Sequence, residues 1–180
     1  MITPDEILNF WFEEIDCQCW WVKDLEFDQL LRQRYQSVLE QAKLGELYHW
    51  RSTPEGRLAE IIVLDQFSRN IYRDTPQAFA ADNIALVLAQ EAVALHIDTQ
   101  LKTKHIPFLY MPYMHSESKQ IHEVAEILFN REAAKAQLGY ELSHKAIIDR
   151  FGRYPHRNAI LGRESSQAEL DFLNQPGSSF

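Results

Sequence analysis

A chain of 180 residues, 46% hydrophobic and 12% aromatic, has the length of one domain and enough apolar material for its core, which excludes a disordered chain. A formal net charge of −8 excludes general duplex binding, which depends on neutralising phosphates with Lys and Arg. No apolar run is long enough to span a bilayer, and MITPDEILNFWFEEIDCQCWW lacks the basic start of a secretory signal. A cytoplasmic protein is therefore expected, with neither nucleic acid nor membrane as partner.

Helix signals run in order along the chain. Thr3, Pro4 and Glu6 form a cap, a first-turn proline and a capping-box acid, which predicts a helix over 4–14. Cys17 and Cys19 are too close for an unstrained disulfide, and only Asp16 beside them could add a metal ligand. Two reduced thiols packed near Trp20 and Trp21 are expected. Helices follow over 26–43, closed by Gly45, over 54–72, begun by Thr53-Pro54, and over 76–95, begun by Thr75-Pro76. A short helical turn is expected near 107–112, stopped by Pro112. Ser116 then caps a helix over 117–129. The last two helices cover 132–151, closed by Gly152, and 166–174, opened by the capping box Ser166–Glu169. No stretch shows strand alternation. The class is all-α, with antiparallel helix pairs in one domain over 1–180 and a loose tail at 174–180.

The helix over 54–72 is the most informative. Its apolar side chains, Leu58 to Tyr72, point to every side, as in a central buried helix. Its second half carries Asp65, Gln66, Arg69, Asn70 and Arg73 on one arc that continues the face of Leu58 and Ile62. That pattern suits a helix running from a core into the wall of a polar cavity. Asp65 and Arg69 also have the favourable i, i+4 order of an exposed ion pair. If buried, they need partners from elsewhere in the chain.

FLYMPYMHSESKQ, residues 108–120, offers some. With Ser116 as cap, His115 and Glu117 sit at a helix start, where the dipole favours the carboxylate and a neutral imidazole. Such an imidazole suits a base or a metal ligand. SESK matches a serine-acylase pattern but has neither its companions nor its fold class. HEVAE, 122–126, lacks the second His of a zincin, so His122 and Glu126 read as surface residues. His144 reads as a hydrogen-bonded core residue.

RFGRYPHRNAILGR, 150–163, gathers Arg150, Arg153, Arg157, Arg163 and His156 without an acid. Gly152 permits a left-handed turn and Pro155 prevents the helix from continuing, so Arg153, His156, Arg157 and Asn158 are free to converge. The arginines either pair internally with Asp65, Glu117 or Asp82, or leave at least one fork for an anion.

Three segments, LDQFSRNIYR, MHSE and RFGRYPHRNAILGR, together resemble signature stretches of the bacterial domain of unknown function 924 family. FWF near the start and TPQAF at 75–79 fit as well, and the resemblance runs from about residue 5 to residue 173. Ser68 stands where a Pro is usual and Tyr154 where a Phe is usual, positions expected not to touch the polar residues. The resemblance implies a compact fold similar to tetratricopeptide repeats, with helix pairs in a right-handed superhelix, and no established activity. Its polar motif positions are Asp65, Gln66, Arg69, Asn70 and Arg73, then His115, Ser116 and Glu117, then Arg150, Arg153, His156, Arg157 and Asn158.

The reading favoured by the sequence is a polar pocket that binds a small anionic molecule or an acidic peptide end. Arg153 and Arg157 would contact the anion, with Gln66, Arg69, Asn70, Arg73, Ser116, Arg150 and Asn158 around them. The alternative is a hydrolase or transferase, with His115 or His156 as base, Asp65 or Glu117 orienting it and arginines in support. An interaction scaffold and a purely structural charge network are further readings. His115 and Glu117 with His144 or His156 could hold a metal, but no spacing demands one, so neither a metal nor a cofactor is expected.

Overall fold

The computed structural model describes residues 2–179, and no β-strand occurs among them. Helix α1 (Pro4–Asn9) opens on the expected capping box: the Glu6 amide donates to Thr3 Oγ1 (3.3 Å), and the Glu6 carboxylate accepts from the Thr3 amide (2.7 Å). It continues as a π-helical turn, Phe10–Glu14. Helix α2 is Leu25–Lys43. Helix α3 starts as Pro54–Ile62, runs on through a π-helical turn, Val63–Phe67, and ends as Ser68–Ile71. Then come α4 (Asp82–Ala94), α5 (Ile106–Met114), α6 (Lys119–Phe129), α7 (Leu138–Phe151) and α8 (Gln167–Leu173).

Every residue from Leu58 to Ser68 is buried, as the all-round apolar pattern of α3 requires. Around α3 pack α1, α2, α4 and α5; α5 then packs on α6, and α6 on α7. The core beside α3 is aromatic, with Phe10–Tyr35, Tyr35–Phe67 and Trp11–Phe67 ring centroids 4.9, 5.1 and 5.5 Å apart. A smaller core of Ile147, Ile148 and Tyr154 joins α7 to the segment after it. No helix among the described residues is long and apolar enough to cross a membrane.

The start of α3 tolerates no side chain at Gly56. A Cβ there would lie 2.0 Å from the Trp50 carbonyl oxygen, a backbone atom fixed by its own turn. Gly56→Ala is expected to destabilise the fold by about 3 kcal/mol in urea titrations. Gly139→Ala is the control, because a Cβ there meets nothing within 4 Å.

Four element boundaries differ from the sequence expectation. The segment expected as a helix over 76–95 begins with a 3-10 turn, Pro76–Ala78, and becomes α-helical only at Asp82. The segment over 132–151 likewise starts as a 3-10 run, Glu132–Gln137. Pro112 does not stop the helix near 107–112: α5 carries it inside, and all nine residues of α5 are buried. Ser116 caps nothing, because α6 starts at Lys119. The Ser116 carbonyl and the Glu117 carboxylate are engaged by distant residues instead, as described below. Gly152 does end α7, in the left-handed conformation (φ 70°). Both cysteines are free thiols; Cys19 packs against the core, while Cys17 is exposed.

Candidate functional site

The arc expected for Asp65, Gln66, Arg69, Asn70 and Arg73 is divided between two neighbours, with Arg69 staying beside Asp65. Asn70 and Arg73 face α2, where Asn70 Nδ2 (2.8 Å) and Arg73 Nη2 (2.8 Å) both donate to Asp28 Oδ1. Asp65 and Gln66 turn towards α5.

There a closed ring forms. His115 Nδ1 lies 2.7 Å from Asp65 Oδ1. Arg69 Nη1 is 3.1 Å from the same oxygen and 2.9 Å from Asp82 Oδ1, with Nη2 3.1 Å from Asp82 Oδ2. Arg157 Nη1 donates to Asp82 Oδ2 (3.0 Å) and Nη2 to the His115 carbonyl (3.1 Å), which closes the circuit. The Arg157 guanidinium lies between the Phe79 and Tyr154 rings, 4.5 and 4.7 Å from their centroids. Two carboxylates and two guanidiniums make the ring neutral overall.

Burial alone would raise the Asp65 carboxyl, but Arg69, His115 and Gln66 outweigh it and hold the pKa down to about 2. An ionised Asp65 can only accept, so His115 Nδ1 carries the hydrogen. Burial and then Arg69 lower the His115 pKa against the pull of Asp65, so the imidazole is neutral near pH 7. Its remaining nitrogen, Nε2, makes no hydrogen bond among the described residues, and 16% of the side chain reaches solvent.

The backbone beneath His115 is held as firmly as its ring. A helix end leaves its last carbonyls without intrahelical partners. Here three consecutive ones receive side-chain donors: Met114 O from Tyr154 Oη (2.5 Å), His115 O from Arg157, and Ser116 O from His122 Nε2 (2.9 Å). His122 Nδ1 in turn lies 2.7 Å from Glu141 Oε1 of α7, and both side chains are fully buried. Burial pushes the Glu141 carboxyl up. The surface role expected for His122 is thus wrong; His122 is a core residue tied to Glu141, not to Glu126. Tyr154, expected not to touch the polar residues, uses its hydroxyl to hold the turn that carries His115.

The bacterial protein family of unknown function DUF924 matches residues 7–177. The chain belongs to the DUF924 family. It is also similar to the solved structure of a protein of unknown function from Agrobacterium tumefaciens, at 32% identity and a TM-score of 0.89, over 95% of this chain and 96% of that one. No curated protein matches the chain.

The other motif residues of this DUF924 protein form a second network beside the ring. Glu117 accepts from the Tyr154 amide (2.7 Å) and from both Arg163 Nη atoms (2.6 and 2.9 Å), and these partners keep its carboxyl low against burial. Arg153 binds Glu169 through Nε (2.6 Å) and Nη2 (2.8 Å). Asn158 Nδ2 reaches Ser165 Oγ and Glu169. Gln66 Nε2 donates to Asp65 Oδ2, and Ser116 contributes only its carbonyl. The His156 ring packs on Tyr154, and burial followed by Arg157 lowers its pKa to about 4. His144 is the hydrogen-bonded core residue expected, with Nδ1 2.8 Å from the Tyr140 carbonyl. Arg150 joins neither network. Among the described residues, no three His, Cys, Asp or Glu side chains are arranged to hold a metal. Two hollows, of about 190 and 230 Å³, lie elsewhere and are not lined by the ring.

Sequence reasoning had Asp82 only as one of several partners for the arginines, and it missed Glu141 altogether. An acid in a first helical turn and an acid inside an amphipathic helix carry no local mark of such roles.

Proposed function

We propose that His115 and Asp65 form the acid–base pair of a hydrolase or transferase acting on a small polar substrate. One observation carries this reading: a 2.7 Å bond ties Nδ1 to a carboxylate that stays ionised, leaving Nε2 of a part-exposed neutral imidazole without a partner among the described residues. Nε2 takes a proton from an attacking hydroxyl or water, and Asp65 fixes the tautomer and steadies the imidazolium that results. Arg69, held by Asp65 and by both oxygens of Asp82, keeps Asp65 ionised and in place beside the imidazole. A passive anion pocket built on Arg153 and Arg157 has less support, because Arg153 is held by Glu169 and Arg157 by Asp82. The scaffold reading rests on exposed Trp21 and Tyr140, whose parallel rings have centroids 6.5 Å apart, and it makes no use of the ring.

The test is turnover of a panel of phosphate monoesters and carboxylic esters by the native protein, His115→Gln and Asp65→Asn, with each variant's Tm recorded. His115→Gln is expected to lower kcat/KM by about 100-fold or more. Native rates no higher than those of His115→Gln across the panel would overturn the acid–base reading.

A further inference from the structure

We infer that the hollow between α7 and α8 binds a small carboxylic acid with an apolar body, and that Arg150 receives its carboxylate. The hollow, of about 230 Å³, lies against one face of α7: Ser143, Ala146, Ile147 and Arg150 follow the 0, 3, 4, 7 spacing of a helical stripe. Phe172 of α8 faces them, and its ring packs on Phe151 with centroids 5.1 Å apart. The small side chains of Ser143 and Ala146 leave the space, and Ile147 and the two phenyl rings make its walls apolar.

Arg150 supplies the one charge. Its guanidinium stacks 4.6 Å from the Phe151 centroid and 5.8 Å from that of Phe172. Stacking occupies the face of the fork and leaves its N–H edge open for a bidentate acceptor. Arg150 is also the only arginine among the described residues without a hydrogen-bonded acceptor. The others donate to carboxylates or, for Arg32, to the Ile71 carbonyl. The neighbouring acid, Asp149, is already paired with Lys145 (2.7 Å) and does not reach the fork.

The setting selects a monoanion. One guanidinium matches one carboxylate, whereas a phosphate dianion needs further donors, and no other cation borders the hollow. Arg150 lies in the last turn of α7, where the helix dipole is negative and a second negative charge is unwelcome. The size selects a small molecule, because drug-sized ligands occupy pockets of roughly 300–1,000 Å³. This site shares no residue with the His115 ring, so the two stand or fall separately.

The test is a ¹H–¹⁵N NMR titration of the native chain with phenylacetate and isovalerate. The neutral phenylacetamide, inorganic phosphate and an acetylated tripeptide ending in phenylalanine serve as comparison arms. Saturable shifts are expected at 143–151 and 172–177 for the two acids. Arg150→Gln and the amide ligand should each weaken binding by about tenfold, the worth of one charge-assisted pair. Ala146→Phe, which fills the hollow and leaves the charge, should abolish it. Acids that give no saturable shift, or amide and acid binding equally, would overturn the inference. So would tighter binding of phosphate, or binding of the peptide alone.

Discussion

Asp82→Ala is expected to destabilise the protein by about 3–5 kcal/mol, the usual cost of removing one partner from a buried ion pair. Asp82 takes three hydrogen bonds from two guanidiniums and is itself only 14% exposed. Without it, Arg157 (8% exposed) keeps no carboxylate. Burial and Arg69 already press the Arg157 charge below its ordinary pKa, and Asp82 is the first of the groups that oppose them. Adding Arg157→Met to Asp82→Ala should therefore restore about 1–3 kcal/mol, since it replaces the stranded charge, stacked between Phe79 and Tyr154, with an apolar side chain. Chemical denaturation of the two single variants and the double variant measures this coupling. A loss under about 1 kcal/mol for Asp82→Ala would mean that water screens the ring as it does a surface pair.

The same ring shows what a sequence can and cannot display. The capping boxes at Thr3–Glu6 and Ser166–Glu169 were legible because the partners lie three residues apart and need only a helix between them. Asp65, Arg69, His115 and Arg157 were legible as a group because each interrupts a stretch that is otherwise apolar or turn-like, so burial with a partner was the alternative to exposure. The division of the α3 arc was not legible. It depends on which neighbouring element each side chain meets: Asn70 and Arg73 meet Asp28 of α2, while Asp65 meets His115 at the end of α5. Glu60 is fully buried and held by both arms of Arg51 at 2.7 Å, yet its sequence neighbours read as an ordinary helix. His122 and Glu141 are 19 residues apart on two amphipathic helices, and only the packing of α6 on α7 brings them together. Asp82 and Glu117 were foreseen by name as partners of the arginines, whereas Glu141, Glu60 and Glu169 were not.

Acid is expected to unfold this protein through its histidines before its carboxylates. Burial lowers His144 from 6.5 to about 3, and burial with Arg157 lowers His156 from 6.5 to about 4. As pH falls below 6.5 the unfolded chain protonates both imidazoles while the folded chain does not. The unfolded state then binds more protons, so stability falls with pH through that window. At about 1.4 kcal/mol per pKa unit, the two account for a loss on the order of 5 kcal/mol by about pH 4. Asp65, held down to about 2, has its contribution intact until pH drops below its ordinary 3.8, so its loss comes after theirs. Urea midpoints measured from pH 7 to pH 4.5 should fall steadily, and a flat profile would contradict the buried neutral state of both rings. His144→Gln should make the profile shallower, because it removes one of the two imidazoles that burial keeps neutral in the folded chain.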